Sequence, residues 1–142
     1  MKKNLCYLTI VLCVLQGCKK ETESNHSIIG KWSLKTFREK IINKGTNVVA
    51  SDNTANYSAN SYADLRTDGK IYFYGSIPSW GINGNYDTSY YFLNGNTIKT
   101  ISSNLRDTNN LVIEVLTQNE LKFKNTRNST FQIVEYYTAA TR

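Results

Sequence analysis

The chain has 142 residues, with 17 Lys and Arg against 11 Asp and Glu, three Cys and a single His. One histidine, His26, leaves no means of assembling a Ser-His-Asp or Cys-His nucleophile, or a zinc site of the usual His/Cys kind, so neither an enzyme of those classes nor a metal protein is expected. The basic residues are scattered along the chain, so the net charge of +6 does not form a nucleic-acid footprint, which would gather Lys and Arg on one face.

Lys2 and Lys3 precede an uncharged apolar run, LCYLTIVLCVL, from Leu5 to Leu15. The run is shorter than the ~20 apolar residues that cross a bilayer as a helix, and it fits the hydrophobic region of a secretory signal peptide. The next residues, Leu15-Gln16-Gly17-Cys18, resemble the lipobox of bacterial lipoproteins: an aliphatic residue, a tolerant position, a small residue, then cysteine. The resemblance implies cleavage before Cys18, a diacylglycerol on its thiol and further acylation of the new amino terminus. Each buried CH₂ contributes ~0.8 kcal/mol, so two or three acyl chains hold a soluble domain on a membrane. Cys6 and Cys13 fall in the segment to be removed, leaving a domain without disulfides or free thiols that must rely on its core. The expected division is residues 1–17 signal peptide, 18–27 lipidated cysteine and tether, and 28–142 one folded domain.

The tether, KKETESNHS, has no apolar residue. Lys19 stands where an inner-membrane retention signal would carry aspartate. The expected location is therefore the outer membrane of a Gram-negative bacterium, on its periplasmic or outward face.

From Ile28 the pattern is that of strands. Turn signals recur at Asn43-Lys44-Gly45, Asp68-Gly69, Gly81 to Asn85, Asn94-Gly95-Asn96, Asp107 to Asn110, Gln118-Asn119 and Asn125 to Ser129. Between them the sequence predicts eight strands, near 30–42, 61–67, 70–76, 86–93, 96–103, 111–117, 120–125 and 131–138. Leu111, Ile113 and Val115 alternate cleanly, as do Leu121 and Phe123 against Lys122 and Lys124. The last strand has apolar residues on both faces and leaves its register open. Residues 43–60 are polar and aperiodic and read as a long loop. Short turns between successive strands predict an all-β, eight-stranded antiparallel up-and-down barrel, a closure that removes exposed edges.

Gly30-Lys31-Trp32, at the start of the first strand, matches the Gly-x-Trp signature of lipocalins. With LRTDGKIYFYG, LTQNELKFK and FQIVEYY following in order, residues 28–138 resemble the small lipocalin-like lipoproteins of Gram-negative bacteria. The resemblance implies a lipocalin-like barrel and a late arginine packed over the tryptophan, for which Arg127 and Arg142 are the candidates. Physically, Trp32 suits a plug at the closed barrel end, with Gly30 letting the backbone bend beside it.

Seven of the ten tyrosines cluster at Tyr72/Tyr74, Tyr86/Tyr90/Tyr91 and Tyr136/Tyr137. Trp80 lies among Pro78 and Gly81, in a segment that reads as a loop, where a large apolar residue marks either a binding edge or a lid. The candidate ligand-binding residues are Trp80, Tyr74, Tyr86 and Tyr90, around a small apolar or aromatic ligand. The alternative is a packed barrel whose loops, with Ile77, Trp80 and the 43–60 loop as the surface, engage an envelope protein or glycan. The expected partners are thus the membrane, through Cys18, and one of these ligands, with no nucleic acid, no cofactor and a monomeric chain.

Overall fold

The first strand organises everything else, because it borders three others. In a computed structural model, described here for residues 27–103 and 107–142, β1 spans Gly30–Asn43, β2 Val49–Asn56, β3 Tyr62–Leu65, β4 Lys70–Ile77, β5 Ile82–Asn94, β6 Thr97–Ser102, β7 Thr108–Leu116, β8 Glu120–Asn128 and β9 Gln132–Thr141. The expected signal peptide, Cys18 and most of the expected tether lie outside the described residues. Every strand pairs antiparallel with its neighbours, and β9 returns to β1 from Ser33↔Thr141 to Asn43↔Gln132, closing the sheet. β2 and β3 share the other edge of β1, with Thr36 opposite Asn56 and Gly30 opposite Leu65. They are two halves of one broken strand, so nine segments fill the eight positions of a closed antiparallel barrel. This is the lipocalin-like architecture expected from the sequence.

Serines close the break. The Ser58 amide donates to the Ser76 carbonyl at 2.8 Å and the Ser76 amide donates to Ser61 Oγ at 3.1 Å. Ser61 is 1% exposed, and its hydroxyl satisfies a backbone group that the interrupted ladder would leave orphaned.

β2 corrects the expectation of a loop over 43–60. Its side chains are mostly exposed and only Ala55 is buried, so no apolar alternation marks it. It is held through the β1 ladder and by Arg38, which donates to both carboxylate oxygens of Asp52 at 2.6 Å. Three expected turns are wholly or largely strand for a similar reason. Ile82 to Asn85, Thr108 to Asn110 and Asn125 to Asn128 are polar strand ends paired to their neighbours near the barrel rim. The Asp68-Gly69 turn forms as expected: Gly69 takes φ +77° and Asp68 Oδ1 accepts from the Lys70 amide at 3.1 Å.

One end is packed shut. Trp32 and Leu121 are 0% exposed, among Ile28, Leu34, Leu65, Ile98 and Ala140. The Trp32 indole donates to the Ile28 carbonyl at 2.8 Å. Arg142, rather than Arg127, covers it, with the guanidinium 4.1 Å from the ring centroid and hydrogen bonds to the carbonyls of Ser27, at 2.9 Å, and Ile29. Gly30 has φ +130°, and a Cβ there would sit 3.2 Å from the Arg142 guanidinium, so the conformation and the close approach both call for glycine. A bulge between Leu34 and Thr36 then changes the phase of β1, so that Trp32 and Leu34 point inward before it and Phe37 after it.

On the outer face, Glu135 accepts from Tyr137 Oη at 2.8 Å and from Lys124 Nζ at 3.4 Å, while the ladder with β8, from Glu120↔Thr141 to Asn128↔Ile133, gives the register of β9 that the sequence left open. The Tyr137 hydrogen bond, more than the nearby lysines, holds the Glu135 carboxyl below its usual pKa, while burial and Glu135 push the Tyr137 phenol up to about 12. A depressed carboxyl favours the folded state above its unfolded pKa, and that stabilisation is lost as the pH falls through the lower, folded value. Urea midpoints measured from pH 5 down to pH 3 should therefore fall less steeply in Glu135→Gln than in the wild type. An unchanged slope would remove Glu135 from the acid limb.

Candidate ligand cavity

Above the Trp32 plug the barrel is hollow. The cavity has a volume of about 470 Å³, within the ~300–1,000 Å³ common for small-molecule sites. Its deeper wall is apolar, with Leu65, Ile71, Ile98, Leu111, Leu121 and Phe123. Alternation along each strand carries these side chains inward and sends their neighbours to solvent.

Higher in the barrel the wall divides into two halves. Phe37 on β1, Tyr57 after β2, Phe73 on β4 and Tyr136 on β9 make one half aromatic. Phe37 stacks on Tyr136 with centroids 5.8 Å apart and meets Tyr57 edge-on at 6.0 Å. Burial pushes the Tyr57 phenol above its ordinary pKa, which keeps that hydroxyl neutral at physiological pH. The other half takes one polar group or more from each of four consecutive strands: Asp87 and Ser89 on β5, Thr100 on β6, Asn109 on β7, and Asn125 and Arg127 on β8. Ser89 Oγ donates to Asp87 at 3.3 Å and Asn125 Nδ2 to Asn109 at 3.3 Å. Arg127 lies 5.6 Å from the Tyr136 ring and forms no ion pair among the described residues. A second depression of about 380 Å³ shares Asn109, Asn125 and Arg127 with the main cavity, so the polar half continues onto the rim.

The residues singled out from the sequence fall largely elsewhere. Trp80 sits on a short 3-10 turn, Pro78–Trp80, and meets Phe37 edge-on at 5.4 Å. It braces the aromatic half through that contact and does not itself line the cavity. Tyr74, Tyr86 and Tyr90 are on the outer face. Tyr74 pairs with Tyr86 at 4.5 Å and lies across Gly84, while Tyr86 is 74% and Tyr90 44% exposed. Tyr86, Tyr90 and Phe92, which share one face of β5, do not fill the barrel; Asp87, Ser89 and Tyr91 occupy the inward positions. This strand is more apolar outside than inside, so hydrophobic alternation assigns it the opposite face. The usable signal lay in the pairing: Asp87 is directly opposite Phe73, whose inward direction follows from Ile71.

No family model and no curated protein matches the sequence. Among solved structures, the chain is similar to the bovine lipocalin allergen Bos d 2, with 10% identity, a TM-score of 0.47 and coverage of 81% of this chain and 72% of that one. A lipocalin-like protein from Bacteroides uniformis gives 11% identity, a TM-score of 0.44 and coverage of 77% and 96%. An uncharacterized protein from Bacteroides eggerthii gives 14% identity, a TM-score of 0.46 and coverage of 80% and 99%. The closed β1–β9 ladder, the plugged end and the hollow opposite end make this chain a lipocalin-like barrel on its own geometry.

Proposed function

We propose that the protein is a lipid-anchored binding protein of the cell envelope whose barrel holds a small apolar or aromatic ligand. The observation that carries this reading is the cavity of about 470 Å³, apolar at depth and open to solvent on one side. The lipobox at Leu15–Cys18 and the polar tether support anchoring at Cys18 in the outer membrane. Action by binding rather than by chemistry is supported by the position of the single histidine, His26, ahead of the barrel.

A second reading, recognition of an envelope protein or glycan, is favoured by one specific feature. Tyr62, Tyr74 and Tyr86 stand in direct cross-strand register on the outer face, with centroids 6.2 and 4.5 Å apart, and the Lys31 ammonium lies 4.1 Å over the first ring.

Two measurements on protein from its natural host test the proposal. The wild type is expected in the membrane fraction and Cys18→Ala in the soluble one; membrane retention of the variant would end the anchoring claim. Native mass spectrometry of gently purified protein is expected to reveal a bound small molecule. A clean apo mass, with envelope proteins or glycans captured through the Tyr62–Tyr86 ladder, would favour the second reading.

A further inference from the structure

From the division of the cavity wall we infer the ligand's chemical class: a planar aromatic acid, with its ring against Phe37 and Tyr136, its polar edge toward β5–β8 and its anionic group at Arg127. The inference rests on the reading that the barrel interior takes a ligand. Three features lead to it.

The first is the aromatic half. Phe37 and Tyr136 present near-parallel rings, 25° apart in plane, on adjacent strands. Aromatic rings gain from offset or edge contact with another ring beyond the gain from burial alone. A flexible chain would lose more conformational freedom on entering and gain none of that ring contact.

The second is the polar half. Asp87, Thr100, Asn109 and Asn125 face the same volume from four adjacent strands. An aliphatic ligand filling the cavity would displace water from these groups without replacing its hydrogen bonds, which is unfavourable for each group covered. A ring system with donor and acceptor atoms along one edge replaces them. Asn125 and Asn109 already share one hydrogen bond, which leaves an Asn109 amide donor and the Asn125 carbonyl oxygen to meet a ligand.

The third is charge. Arg127 stands at the rim over Tyr136, without an ion pair among the described residues, and Asp87 lies three strands away on the same half. The two charges are on one wall but unpaired with each other. That arrangement favours a ligand with its acid at Arg127 and a hydrogen-bond donor toward Asp87. Guanidinium is suited to the acid, since it presents its donors in a planar fork.

The test is a fluorescence titration of the full-length Cys18→Ala protein in detergent-free buffer with three probes. Aminoanthracene sulfonate is planar and anionic, aminoanthracene planar and uncharged, and cis-parinaric acid an anionic chain. The sulfonate should bind more tightly than either of the others. Its preference over aminoanthracene should shrink about 3–10-fold in Arg127→Gln, the modest size reflecting an exposed, salt-screened charge, and should return in Arg127→Lys. Asn125→Leu should weaken the sulfonate and aminoanthracene while sparing parinaric acid. Aminoanthracene binding with no preference for the sulfonate, or a preference that survives Arg127→Gln, overturns the inference and leaves the cavity reading standing. Tighter binding of parinaric acid than of the sulfonate does the same. Failure of all three probes overturns the cavity reading, and the inference with it.

Discussion

Trp32→Ala is expected to destabilise the barrel by about 3–5 kcal/mol and to lower its melting temperature by roughly 10 °C or more. Thermal unfolding followed by circular dichroism measures this directly. The indole is fully enclosed and joins parts of the chain that are distant in sequence. It donates to the Ile28 carbonyl, lies under Arg142 and packs with Leu65, Leu121 and Ala140. Truncation removes the burial energy of a large ring, leaves a void where the closed end was filled, and strands the Ile28 carbonyl without its donor. Trp32→Phe separates these effects: it keeps most of the ring contact and loses the hydrogen bond, for an expected cost of about 1–3 kcal/mol. If Trp32→Ala melted at the wild-type temperature, the closed end would be held by something other than this residue.

The second large effect concerns the cavity. Thr100→Trp should abolish binding of aminoanthracene, with at least a 30-fold loss of affinity, and leave the melting temperature within a few degrees. Thr100 lines the hollow on β6, and its side chain is part-exposed within it. An indole there occupies space that a ligand would use, and large aromatic residues are well tolerated in strands. The near-constant stability is what distinguishes occupation of a void from disruption of a packed core, where added bulk costs ~1–3 kcal/mol. Persistent binding in Thr100→Trp would place the probe outside the barrel, on a surface such as the Tyr62–Tyr86 ladder.

The architecture was legible in the sequence because hairpin chemistry and alternation act locally. The Asp68-Gly69 turn and the paired strands around it follow from side chains a few residues apart. The plug was legible for a different reason, since Gly30 and Trp32 form a short motif with a direct steric meaning. The broken second strand was not legible. β2 buries almost nothing, and its backbone ladder with β1 leaves no mark on the side chains. The cavity wall was hidden by a similar logic. A hollow barrel with a half-polar lining relaxes the rule that apolar residues face inward, and β5 follows the inverse pattern. The bulge in β1 adds a phase change that sequence alternation cannot anticipate. Tyr74, Tyr86 and Tyr90 therefore drew attention by their ring content, while Asp87, Asn109 and Asn125 resembled ordinary turn and surface residues and Arg127 stood out only as a candidate cover for Trp32.

The ladder that closes the barrel also governs its kinetics. Ser33 must find Thr141 across nearly the whole domain, and β1 cannot complete both of its edges until β9 is available. Local hairpins can form early in the chain's life, but the closed end cannot: Trp32 lacks the cover of Ala140 and Arg142 until the last strand has been made. Pairing over such a separation incurs its loop-closure entropy before the contacts reward it, which places folding in the slow range typical of β-barrels, milliseconds to seconds. During that interval the nascent chain presents an aromatic β1 whose β9 edge is unpaired. A protein built this way depends on being held apart from its neighbours until synthesis is finished, so the sheet edge that makes the native barrel durable is the segment most exposed to misassembly beforehand.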